Sequence, residues 1–181
     1  MPATAFSTAL GWMAISCNSR GAALQRLVFG LPSNSAAWEA LLGSAAHAPA
    51  GDSVSLSSLS RLVDSLQALA EGIPQDFSRI EVDLATRSPF QRRILHACQQ
   101  IPWGTTWTYS ELAESCGYLR GARAVGNVMA SNPLPLIIPC HRVVAADGRL
   151  GGFSAPQGTL MKRRLLSMEG VNCTRLSRVK L

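Results

Sequence analysis

The sequence predicts an α/β protein of the α+β kind, with a small mixed sheet and helices in the first half and a mainly helical second half. Three observations predict it. Two strand-like runs, "LGWMAIS" and "AALQRLVFG", flank "CNSRG", whose Asn, Ser and Gly tolerate tight turning. Two apolar stripes at helical spacing follow. The second half then carries two capping boxes ahead of helical runs, with a tight connection between two short helices.

Taken in order, the two strand-like runs make a hairpin. The apolar start "TAFSTALGWMAISC" resembles a secretory leader, but no Lys or Arg precedes Arg20, and Trp12 and Met13 suit a strand, so it reads as folded protein. Trp38, Leu41, Leu42 and Ala45 in "SNSAAWEALLGSAAH" predict a helix; beyond the loop "APAGD", Leu59, Leu62, Val63, Leu66 and Leu69 predict another. Ile80, Val82 and Leu84 alternate in "RIEVDL", which predicts a short strand before the polar break "ATRS". The domain boundary is placed near Ala85, dividing the chain into 1–84 and 85–181.

In the second half, Ser88-Pro89-Phe90-Gln91 is a capping box with proline at the first helical position, and Phe90, Ile94, Cys98 and Ile101 form the buried face that follows. Thr108-Tyr109-Ser110-Glu111 opens a second helix that Gly117 can close. A third runs from Gly121 to Ser131, where Asn132-Pro133 stops it. The last two make a helix-turn-helix candidate. Its second helix, "GARAVGNVMAS", offers Arg123 as its one long polar side chain among Gly121, Ala122, Ala124 and Gly126. So small a surface suits close approach to a minor groove, or packing against another helix.

Composition narrows the partners. A net charge of +6 and a pI near 9.6 fit a polyanion such as nucleic acid, or a solvated basic surface. Cys17, Cys98, Cys116, Cys140 and Cys173 lack C-x-x-C spacing, and five cannot all pair within the chain, which points to a reducing compartment without disulfides. No apolar run approaches the ~18 residues of a membrane span.

"IIPCHRVV" sets a thiol beside an imidazole in an apolar run. Cys140 can be an inert core residue, the commonest state of such a cysteine, a metal ligand, or a nucleophile. Adjacent side chains on an extended segment face opposite ways, so Cys140 and His141 meet only if the chain turns after Pro139. Metal is the poorest reading: His47, His96 and His141 are far apart, and His96 and Cys98 fall on different faces of one helix. Glu169, in the closing "SMEG", is either an ordinary helix end or the third member of a relay that orients His141.

"PFQRRILHACQQIPWGTTWTYSELA", "GARAVGNVMASNPLPLIIPCHRVVAADGRLGGFS" and "LLSMEG" resemble the O6-alkylguanine-DNA alkyltransferases, also called methylated-DNA-protein-cysteine methyltransferases. The likeness is close from Ser88 to Gly170 and general before residue 85. It implies a ribonuclease H-like first domain, then a winged helix-turn-helix-like domain that binds DNA and accepts the alkyl group. It further implies that Cys140 attacks the alkyl carbon on guanine O6 once and irreversibly, with His141 taking the thiol proton through a water, Glu169 holding that histidine and Asn132 bracing the turn. Tyr109 would donate to the base and stand where the target phosphate rotates. The nucleotide must flip out, and Arg123 would fill its place, with Ala122, Gly126 and Arg120 along the DNA.

The resemblance puts the pocket at Tyr109, Met129, Pro135, Val143, Gly151, Phe153 and Ser154, with backbone groups near Cys140, Val143 and Ser154 on the base. Phe153 stands where tyrosine is common, and Ala130 where a basic residue can occur. Some relatives hold zinc in the first domain through two cysteines and two histidines. Only Cys17 and His47 precede residue 80 here, so no metal and no cofactor is expected. The implied partner is double-stranded DNA bearing O6-alkylguanine, bound through the minor groove by a monomer, with cooperative assembly left open. The implied location is intracellular: cytoplasmic in a bacterium or archaeon, nuclear in a eukaryote. A binding-only relative would lack the cysteine. A helix-turn-helix regulator would want polar readers on its second helix, and a Cys-His hydrolase an oxyanion hole.

Overall fold

The computed structural model describes residues 1–43 and 56–172. The chain divides into two compact units, Met1–Gln75 with Arg79–Asp83, and Asp76–Ser78 with Leu84–Leu181. Ala45, His47 and Cys173, and with them the predicted end of the first helix and the loop "APAGD", lie outside the described residues.

The first unit is an antiparallel meander of β1 (Ala3–Thr8), β2 (Gly11–Cys17) and β3 (Leu24–Leu31). The predicted hairpin joins β2 to β3, closed by Asn18, whose side chain accepts from Ala22 N at 3.2 Å. Strand β1 had no separate signal. Its turn, Ala9-Leu10, lacks the usual Gly or Asn; instead Thr8 Oγ1 accepts from Leu10 N at 3.1 Å and donates to Gly11 O at 2.7 Å. The alternation of β2 puts Ala14 against Ala37 and Leu41 of helix α1 (Asn34–Leu42) and turns Met13 and Ile15 to the other face. Ser33 caps α1 by accepting from Ala36 N, and the helix stops at Gly43.

Helix α2 (Leu56–Ala70) packs against β1, with Leu62, Leu66 and Leu69 buried as their spacing requires. "RIEVDL" corrects an expectation, since it forms one parallel bridge, Leu24 to Val82, and not a strand. Leu24 shares both its backbone groups with Glu81 O and Asp83 N, and the chain then turns at Leu84–Arg87 before a second pair can form.

The second unit begins with α3 (Pro89–Gln99), whose capping box is complete: Ser88 Oγ accepts from Gln91 N, and Gln91 Oε1 from Ser88 N at 3.0 Å. Ile94, Cys98 and Ile101 are buried as predicted, while Phe90 is half-buried and meets Tyr118 edge to face. Strand β4 (Trp107–Thr108) runs into α4 (Tyr109–Ser115), and α5 (Ala122–Ala130) follows a tight connection. Gly121 is needed there, because a Cβ would lie 3.0 Å from Tyr118 O and 3.2 Å from Ala113 Cβ. A 3₁₀ turn at Cys140–Arg142 leads into β5 (Val143–Val144), which pairs in parallel with β4; α6 (Thr159–Met168) closes the unit. No described helix is long and apolar enough to cross a membrane.

Candidate active site

The segment that carries the thiol is braced before it turns. Asn132, just past the end of α5, accepts from Leu134 N at 3.0 Å and donates from Nδ2 to Ile138 O at 2.8 Å, tying both ends of the intervening loop. Pro139 then sets a backbone from which Cys140 N donates to Ile138 O and Arg142 N to Pro139 O. This is the bend that adjacent Cys and His side chains require. The two-residue ladder holds the start of α4 to this segment, Trp107 pairing with Val143 and Thr108 with Val144, and Tyr109 and Cys140 line one pocket.

Cys140 lines a pocket of about 300 Å³ together with Tyr109, Gly126, Met129, Ala130, Gly152, Phe153 and Ser154. Of the residues expected at the site, Tyr109, Met129, Phe153 and Ser154 line that pocket, and so does Gly126, expected on the DNA side. Pro135, Val143 and Gly151 are not among the lining residues. Gly151 instead presses on Tyr109, where an added Cβ would fall 2.7 Å from the hydroxyl. Val143 is fully buried beneath. Ser154 Oγ donates to Ala130 O at 2.8 Å, which fixes the loop across the pocket mouth to the end of α5.

Behind the thiol lies a buried ionic network. His141 Nε2 meets Glu169 Oε1 at 2.8 Å, and His141 Nδ1 has no hydrogen-bond partner among the described residues. Arg142 grips the same carboxylate, Nε to Oε2 and Nη2 to Oε1 both at 2.9 Å, and donates from Nη1 to Ile101 O at 2.5 Å. Its guanidinium lies 5.8 Å from the centre of the Trp103 ring, and Gly104 N donates to Glu169 Oε2 at 3.2 Å. Burial alone would raise the Glu169 carboxyl, but the hydrogen bonds and charges of His141 and Arg142 outweigh it and bring it down to about 2. Burial pulls the His141 imidazole below its usual value against the opposing pull of Glu169, which keeps it neutral at pH 7.

The thiol itself is held up by burial, with the Asn132 hydrogen bond and then the Lys162 charge acting the other way. Tyr109, pushed up by burial and by the Cys140 and Cys98 thiols, stays a hydrogen-bond donor. This combination sets a thiol, an imidazole on the adjacent residue, a carboxylate bonded to that imidazole, and a phenol that shares the thiol's pocket, the groups from which an activated nucleophile would be built.

On the outer side of α5, Arg123 is exposed, Ala122 and Gly126 are half-exposed, and Arg120 is exposed at φ 66° in the connection before the helix. Two site residues were given no role by the sequence, although Arg142 belongs to the Pro139-Cys140-His141-Arg142 core of the resemblance. Arg142 follows the Cys-His pair but reads as a lone cation in an apolar run, and Lys162 sits in the basic run "KRR", which reads as a solvated face. Among the described residues no group of three or more His, Cys, Asp or Glu side chains is placed to hold a metal.

Residues 89–171 match the model of the 6-O-methylguanine DNA methyltransferase DNA binding domain. The methylated-DNA–protein-cysteine methyltransferase of Methanothermobacter thermautotrophicus is 40% identical over 114 residues, 63% of this chain and 62% of that one. The protein of the same name from Saccharolobus islandicus is 40% identical over 121 residues, 67% of this chain and 76% of that one. The first of these matches thus spans less than two thirds of the relative's length. Among solved structures, Mycobacterium tuberculosis OGT in complex with DNA is similar with a TM-score of 0.71 at 29% identity, over 96% of this chain and 98% of that one. The O6-methylguanine-DNA methyltransferase of Pyrococcus kodakaraensis has a TM-score of 0.64 at 26% identity, over 93% and 98%.

Proposed function

Since the chain belongs to the 6-O-methylguanine DNA methyltransferase family, we propose that it repairs O6-alkylguanine in DNA by moving the alkyl group to Cys140. What carries the reading is the placement of Cys140: it lines the pocket, and the residue that follows it, His141, is bonded to Glu169. His141 takes the thiol proton through a water, with Glu169 orienting the imidazole and Arg142 orienting Glu169. The sulfur–carbon bond forms as the carbon–O6 bond breaks, the electron pair stays on the guanine, and Tyr109 donates toward the base as that charge develops. The product is a thioether, which has no easy hydrolytic exit, so each molecule acts once.

The target atom lies inside the duplex stack, and the nucleotide rotates out to reach the pocket. Arg123 enters the vacated space, while Ala122 and Gly126 let α5 approach the minor groove closely and Arg120 meets a phosphate. Met129, Pro135, Val143, Gly151, Phe153 and Ser154 shape the base site, by lining it or by backing residues that do. Residues 85–181 form the DNA-binding and alkyl-accepting domain and 1–84 the supporting one. A monomer in a reducing intracellular compartment suits a nucleophilic cysteine that must stay reduced; Cys17, Cys98, Cys116 and Cys140 are all free thiols.

Intact mass after incubation with an O6-methylguanine duplex tests this. One CH₂ equivalent should appear on Cys140, and none on Cys140→Ala. A wild-type chain that binds the duplex and stays unmodified would refute the transfer and leave a binding module.

A further inference from the structure

Lys162 has no place in the chemistry above, yet it is 0% exposed and points at the same site. Its Nζ donates to Val143 O at 2.6 Å and lies 5.9 Å from the centre of the Tyr109 ring. No carboxylate pairs with it among the described residues. A buried ammonium with a carbonyl and a ring for company is costly, and a leucine or methionine would fill the space at less cost. The groups around it explain the charge. Cys98 faces it from α3, Tyr109 from α4, and Cys140 and His141 from the 3₁₀ turn, while Arg163 and Arg164 on its own helix are exposed.

We propose that Lys162 is a positioning residue whose buried ammonium favours the negative form of the Cys140 sulfur and pins the Val143 carbonyl at the end of the active-site turn. The proposal rests on the reading of Cys140 as the nucleophile. The Lys162 charge opposes the burial that holds the Cys140 thiol up, acting with the Asn132 hydrogen bond, in surroundings where little water screens it. Burial pulls Lys162 itself down to about 8, against the Cys140 and Cys98 thiols, so its charge is present at neutral pH and disappears in mild alkali.

The test is the rate of Cys140 alkylation by iodoacetamide against pH, read by peptide mass, in the full chain and in Lys162→Met, starting above about pH 7 where His141 is neutral. In wild type the logarithm of the rate should climb by about one per pH step, flatten around pH 8 as Lys162 gives up its proton, then climb again. Lys162→Met should climb without a break, with about tenfold less reaction near pH 7.5 and a melting temperature equal to or above that of wild type. Superimposable curves would overturn the proposal. If Lys162→Met does not fold, the wild-type curve decides alone, because an unbroken climb overturns it. Iodoacetamide needs neither guanine nor DNA. A shifted titration without alkyl transfer would therefore keep Lys162 and remove the function, whereas transfer with an unshifted titration would do the reverse.

Discussion

Glu169 shows how much one carboxylate can carry. It is buried against His141, Arg142 and the Gly104 amide, and neutralising it strands the Arg142 guanidinium. Glu169→Gln should cost about 3–5 kcal/mol in chemical denaturation. The pH dependence has a definite sign. A carboxyl that titrates at 4.5 when unfolded and about 2 when folded binds fewer protons in the native state, so its stabilisation is whole above about pH 4.5 and is lost as pH falls toward 2. That interval corresponds to roughly 3 kcal/mol. Melting curves from pH 5 to 2 should therefore be steeper for wild type than for Glu169→Gln, and parallel curves would detach Glu169 from the network. The sequence offered Glu169 as a third relay member, but gave no hint that Arg142 would hold it. Nothing in "CHRVV" tells a buried cation from an exposed one until Ile101 O and the carboxylate are seen to converge on it.

Among the elements, α5 carries a cost that its own packing does not explain. Gly126 sits mid-helix, and an added Cβ would meet nothing within 4 Å. Alanine there should stabilise the helix by roughly 0.5–1 kcal/mol. Gly126→Ala is expected to raise the melting temperature while weakening duplex binding and slowing alkyl transfer; unchanged binding would make the glycine's place on the DNA side untenable. The helices of this unit were the most legible part of the chain, because Ser88 with Gln91 and Thr108 with Glu111 announce their starts through side chains that satisfy specific backbone donors. The strands were less so. β1 lacked a turn residue to mark its end, "RIEVDL" had the right alternation but forms a single bridge, Leu24 to Val82, and β4 and β5 are too short for any periodicity to register.

At the scale of the whole molecule, 17 Lys and Arg against 11 Asp and Glu leave a positive field suited to a phosphate backbone. Duplex affinity should fall linearly on a log–log plot against salt. Arg120→Asn should lower the slope by about one, since Asn tolerates the left-handed backbone that Arg120 adopts at φ 66° and so removes a charge without new strain. An unchanged slope would remove Arg120 from the phosphate contacts. The ladder of Trp107 with Val143 and Thr108 with Val144 has a wider consequence. With only two rungs, it ties the segment that runs into Tyr109 to the segment that runs out of Cys140, and a slip of one residue would turn its side chains to opposite faces. Phenol and thiol thus share a single mechanical datum.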